Sequence, residues 1–220
     1  MNYTIYDYLG LFFLYAFLGW LLETTVAAVR KKHMVNRGFL NGPLCAIYGI
    51  TVVFMTRYLY ELQSSPVFLF LGCMIIATAA EWIAGHVLER IGHGKWWDYS
   101  KLPFNIGGYV CLLFSLIWGV ACVFIVYFVH PLIHQVLSLI PHTAGIALIA
   151  ILGIALLSDI IVTTSAIVKF NQYLERLKHI TDELHAISNQ IGSELYQNVM
   201  HVLDMQESSR QKLDDVKLEV

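Results

Sequence analysis

Charge is what this sequence has least of. Only 14% of its 220 residues are Asp, Glu, Lys or Arg, while 57% are hydrophobic; a soluble domain carries roughly 25% charged residues. The deficit excludes an ordinary water-soluble fold, and a mean hydropathy of +0.62 agrees. The net charge of −2 says little about partners, because the charges are segregated along the chain, and nothing points to nucleic acid. The four cysteines, Cys45, Cys73, Cys111 and Cys122, lie in apolar segments without a CxxC or Cys/His spacing suited to zinc. They read as buried thiols.

Catalytic signatures are missing as well. The chain has no GxxxxGK[ST] loop, no GxSxG and no HExxH, which excludes nucleotide hydrolysis by a P-loop and the corresponding hydrolase chemistries. His86 is the only histidine expected well inside a span, which argues against haem held by two histidines. The opening "MNYTIYDYLG" lacks a basic n-region and a small-residue cleavage site, so the first span is expected to be retained.

What the chain does have is long apolar runs. Five reach about 20 residues, the length that crosses ~30 Å of hydrocarbon: residues 8–29, 42–60, 66–89, 103–128 and 143–168. The segment 130–142, with a proline near each end, reads as an interfacial or re-entrant helix. Arg30, Lys31, Lys32 and Arg37 follow span one; Arg90, Lys95 and Lys101 follow span three; Lys169, Arg176 and Lys178 follow span five. The opposite side has only Arg57 near a span end. This asymmetry predicts the N-terminus outside and the C-terminus in the cytoplasm. The expected fold is all-α and polytopic, with a five-helix transmembrane domain over 1–168 and a cytoplasmic helical tail over 169–220. In that tail Tyr173, Leu177, Ile180, Leu184, Ile187 and Ile191 alternate in steps of four and three, a coiled-coil seam that Leu195 and Val199 extend by a stutter. Residues 170–203 thus pair two copies or engage a cytoplasmic partner. The alternative is an amphipathic helix packed on the protein or on the membrane surface.

Three carboxylates lie inside the expected spans. At ~1.5 Å per residue, Glu23 is roughly 10 Å from Arg30, Glu81 about 12 Å from the Glu89–Arg90 boundary and Asp159 about 15 Å from Lys169. All three fall at similar depth, where no span carries a Lys or Arg. An ionised carboxylate in hydrocarbon costs several kcal/mol unless it is paired or faces water. The three are therefore protonated, bonded to neighbours as helix–helix glue, or facing a cation from outside the chain. On the third helix Glu81 and Glu89 lie about 80° apart with Gly85 between them, so that this face could line a cavity open to the cytoplasm; His86 could titrate there. At the same mouth, Asn41 and Pro43 precede span two as an N-cap and first-turn pair. Trp96 and Trp97 sit where an aromatic belt is expected. Asp98 could bind a cation, hold Arg90 or Arg37, or cap the fourth helix, and Asn105 lies just inside span four. Gly107, Cys111, Ser115 and Gly119 recur every four residues, a face that permits close helix packing.

"GWLLE", "NRGFLNGPLCAIYG", "EWIAGHVLE" and "WWDYSKLPFNIGGYVCLLFSLIWG" together resemble the bacterial putative ABC-transporter permease family, type IV or CmpB-like, over residues 10 to 160. The resemblance implies an integral protein of the bacterial plasma membrane, a transport subunit working with a separate ATPase. The family's polar motif positions fall on Glu23, Asn41, Glu81, Glu89, Asp98 and Asn105. Three functions stay open. The first is a permease subunit whose acidic pocket takes a cationic or proton-coupled substrate. The second is an intramembrane enzyme on a lipid headgroup, with a divalent cation held by some of Glu23, Glu81, Glu89 and Asp98, since carboxylates suit hard cations. The third is a non-catalytic membrane scaffold.

Overall fold

The structure, a computed structural model, describes residues 3–34, 36 and 38–218, with side chains described as far as Ser208. Arg37, one of the basic residues counted above, lies outside the described residues. The chain divides into two compact units, Met1–Val168 and Lys169–Val220.

In the first unit, α1 (Ile5–Lys31) opens with a capping box. The Thr4 hydroxyl accepts from the Asp7 amide at 3.3 Å while the Asp7 carboxylate accepts from the Thr4 amide at 2.7 Å, satisfying two N-terminal donors that the helix itself leaves bare. It ends at Lys32, in the left-handed conformation (φ 58°). The second helix, α2 (Ala46–Tyr58), has only 13 residues, or ~20 Å of rise. A 3-10 turn at Tyr60–Ser64 leads to α3 (Pro66–Gly92), whose proline sits in the first turn, where its missing N–H is harmless.

The fourth span departs from the expectation. Residues 103–111 are not helical but fold as a loop ending in a short hairpin, β1 (Asn105–Ile106) antiparallel to β2 (Val110–Cys111). Its turn, Gly107–Gly108, has φ of 62° and 77°, which glycine adopts without a Cβ clash. Helix α4 (Leu112–Phe124) passes through a π-helical turn, Ile125–Val129, into α5 (His130–Ser138). The expected interfacial segment therefore continues the fourth helix, and Leu112–Ser138 is one 27-residue apolar span. Pro131 explains the π turn: it has no N–H to donate, and its ring would press on the carbonyl four residues back. The shift also brings His130 and His134 into a span. His130 is buried, with Tyr3 Oη 2.9 Å from Nε2 and Tyr15 Oη 3.3 Å from Nδ1.

The last helix, α6, runs His142–Leu218. Among the described residues four helices are thus long and apolar enough to cross a membrane, and the protein is an all-α, multi-pass membrane protein. Helix α2 is the wedge at its centre. Met55 packs with Leu69, Cys73, Ala77 and Cys122 on one side, and Val52 packs with Leu11, Tyr15 and Ile133 on the other. Of the small-residue face, Cys111 and Ser115 are buried and Gly119 lies under Phe70 and Met74, whereas Gly107 belongs to the hairpin. All four cysteines are free thiols.

In the second unit the apolar seam is exposed. Tyr173, Leu177, Ile180, Leu184, Ile187 and Ile191 all lie open on the helix surface. Short-range polar pairs, such as Gln190 with Glu194 at 3.1 Å, support the turns between them.

Candidate functional site: a carboxyl cluster among four helices

Glu81 is the buried acid of the first unit, with only 8% of its surface exposed. Tyr99, from the loop after α3, donates to its Oε1 at 3.2 Å. Its ring stacks on Phe114 of α4 (centroids 4.5 Å apart, planes 18° apart), which fixes where the hydroxyl points. Burial and the neighbouring carboxylate push the Tyr99 pKa above the usual phenol range, so Tyr99 remains a donor. Trp118 of α4 sets a second donor beside the carboxyl. Oε2 nonetheless accepts no hydrogen bond of ordinary geometry among the described residues. A buried acceptor left in that state costs about 1–3 kcal/mol, more for a charged group.

Glu23 of α1 joins the same cluster. The Tyr48 hydroxyl donates to Glu23 Oε1 at 2.7 Å, and the Tyr48 ring meets Trp118 edge-on, 5.8 Å between centroids. Glycine at position 19 lets the tyrosine reach α1: a Cβ there would sit 2.3 Å from Tyr48 Cγ. Glu23 is close enough to act electrostatically on Glu81 and on Tyr99. Two carboxyls from α1 and α3 thus share one aromatic-walled site with three donors from α2, α4 and the loop. Its chemistry suits a positive charge or a proton: two acids, no basic side chain among these groups and one open acceptor.

The other expected site residues go elsewhere. Asp159 does not complete this cluster. Its Oδ1 accepts from Asn41 N (3.2 Å), Asn41 Nδ2 (3.1 Å) and Thr163 Oγ1 (3.0 Å), and its Oδ2 from Gly42 N (2.8 Å). It fastens α6 to the segment before α2, and Asn41, read as an N-cap, is its partner. Gly85 is not an open wall: Tyr109 and Trp97 lie over it, and the Tyr109 hydroxyl donates to Glu89. His86 sits between the tilted rings of Trp82 and Tyr109 (centroids 4.1 and 4.0 Å away), its Nδ1 3.1 Å from Trp82 O, a donor position. Asp98 neither caps α4 nor holds Arg90. It accepts from Ser100 N at 2.9 Å and lies 3.9 Å from Lys95 Nζ. Those contacts, the amide first, hold its carboxyl below the usual aspartate range. Asn105 bonds to the Ser100 and Leu102 carbonyls and accepts from Gly108 N, closing the hairpin loop. Asp98, Asn105 and Glu89 therefore shape the loop that carries Tyr99 to Glu81.

Sequence reasoning missed Tyr48, Tyr99 and Trp118. The first two sit inside "LCAIYG" and "WWDYS", and their signal was a hydroxyl flanked by apolar residues. Thr163 was foreseeable as the residue one helical turn after Asp159. Among the described residues no group of three or more His, Cys, Asp or Glu comes together as a metal-binding set, so the metal-dependent reading gains no support from geometry.

A model of the family described as putative ABC-transporter type IV matches residues 10–164. Comparisons with curated proteins and with solved structures give no match.

Proposed function

Because the chain belongs to the putative ABC-transporter type IV family, we propose that it is the membrane subunit of a transporter. In this reading the Glu81–Glu23 cluster takes a cationic or proton-coupled substrate from the cytoplasmic side, and a separate ATPase supplies the energy. The observation that carries it is buried Glu81 beside a second carboxyl, its Oε2 without a hydrogen bond of ordinary geometry among the described residues. A group designed only as helix–helix glue would have both oxygens engaged, as Asp159 has.

The basic residues at the ends of α1 and α3 and in the hairpin loop support a reading in which that end faces the cytoplasm of a bacterial plasma membrane. Helix α2 alone is shorter than the ~30 Å hydrocarbon core; the stretch 38–45 before it supplies the rest of that crossing.

Purified in detergent, the wild-type protein should gain thermal stability as its cognate cation is added from a panel of protons, sodium, magnesium and alkylammonium ions. Ligand at 100 times its Kd corresponds to ~2.7 kcal/mol. Glu81→Gln keeps the size and the Tyr99 bond but removes the charge, and its curve should be flat. Equal shifts in the two proteins, or none in wild type beyond the effect of ionic strength, would overturn the assignment.

The exposed seam of the tail is assigned to a second copy of the chain, because a 3,4-spaced apolar stripe is what two helices bury against each other. In membranes, Leu184→Cys should form a disulfide-linked dimer under mild oxidation, and Asn189→Cys, off the seam, should not. Equal cross-linking at both positions would refute the pairing.

A further inference from the structure

A second feature of the first unit has no part in the carboxyl cluster. Helices α1, α5 and α6 and the segment 41–44 line a partly open cavity of about 930 Å³, at the upper end of the ~300–1,000 Å³ usual for a small-molecule site. Polar groups occur at its two ends. Tyr3, Tyr6, His134, Ser138 and His142 stand at one, with Asp7, whose carboxylate is engaged by the Thr4 cap; Asn41, Gly42 and Asp159 stand at the other. Between them the walls are apolar, among them Leu14, Phe17, Leu137, Leu148, Leu152 and Leu156.

We propose that this cavity holds one phospholipid of the surrounding bilayer, with an acyl chain inserted along α6 and the headgroup at the Tyr/His end. Length argues for it: from His142 to Asp159 the helix rises ~25 Å, close to the ~30 Å of the hydrocarbon core. A fully extended acyl chain spans that length without needing a wider slot. Near the Tyr/His end, the Tyr6 hydroxyl lies against Gly145 and Leu137 packs over Gly10. Along the apolar stretch between the two ends a polar solute would lose its hydrogen bonds, which a hydrocarbon chain does not need. At the far end, Asp159 is saturated by Asn41, Gly42 and Thr163. The floor therefore offers no bare charge to a second headgroup and suits the end of a hydrocarbon chain. The rings at the other end, Tyr6 against His142 at 4.6 Å and Tyr3 against His134 at 5.9 Å, set an amphipathic aromatic cluster at headgroup level.

Native mass spectrometry of the full chain tests the assignment, after delipidation and exchange with palmitoyl-oleoyl phosphatidylglycerol. Wild type should keep one phospholipid per chain under activation that strips surface adducts. Leu152→Trp with Ala155→Phe fills the slot and should lower that occupancy at least tenfold. Ile151→Trp, on the exposed side of α6, should leave it unchanged. If the double variant does not fold, Leu148→Phe alone should still weaken retention severalfold. Equal retention in wild type and a slot-filling variant, or a wild-type chain that keeps no lipid, overturns the proposal. A dimer that persists in place of the lipid also overturns it.

Discussion

Gly49→Ala should lower the thermal midpoint of the purified protein more than any other single glycine-to-alanine change in α1 or α2. A Cβ at this position would lie 2.4 Å from the Phe12 carbonyl oxygen and 2.7 Å from Phe12 Cδ2. A flexible side-chain tip could step aside, but the carbonyl belongs to the backbone of α1. The methyl group must therefore force α1 and α2 apart. That interface holds Leu11, Tyr15 and Val52 in the core with Ile133, and it carries Tyr48 to Glu23. Overpacking a close-packed site costs typically ~1–3 kcal/mol and occasionally more, against a total stability of ~5–15 kcal/mol for a folded domain. A backbone clash belongs at the upper end. Gly153→Ala is the control. Nothing lies within 4 Å of its Cβ position, so the substitution should be neutral or stabilise α6 by about 0.5–1 kcal/mol. Thermal midpoints in detergent decide the matter; matching midpoints for the two variants would show that the approach of α1 to α2 is softer than the geometry requires.

Asp159→Asn should release the segment before α2 from α6. The carboxylate receives four hydrogen bonds, three of them from Asn41 and Gly42. An asparagine at 159 would offer one oxygen and turn an NH2 group toward the remaining donors, which then lose their acceptor. Hydrogen bonds to charged groups contribute ~1.5–3 kcal/mol each, so the clamp should lose at least that amount. Little else is available to compensate, since the apolar part of α6 is largely exposed. Amide hydrogen exchange over residues 38–45 should quicken at least tenfold while exchange in the middle of α3 stays as it was. Unaltered protection of 38–45 would mean that apolar contacts alone hold α6.

Much of the architecture was legible in the residues because it depends on local composition. Scarce charge and apolar runs specify membrane-crossing helices whatever their partners, and the motifs from "GWLLE" to "GYVCLLFSLIWG" carry the family. The fourth helix was misplaced because its limits depend on backbone conformation rather than on hydropathy. Gly107 and Gly108 bend the chain into a hairpin inside an apolar run, and a π turn absorbs Pro131 where a break was expected.

The site divides in the same way. Position along a helix is a property of sequence, so spacing alone places Glu23, Glu81 and Asp159 at comparable distances from their basic flanks. Which carboxyls meet is a property of packing. Glu23 and Glu81 come together because α1 and α3 both pack on α2, with Tyr48 passing over Gly19 and Tyr99 brought in by a loop pinned at Asp98 and Asn105. Asp159 stands on α6, where the nearest donors are the amides of Asn41 and Gly42. One-dimensional spacing encodes the element and the turn on which an acid sits, while its partner is selected by helix crossings that small residues such as Gly19 and Gly49 permit, over contacts distant in the chain.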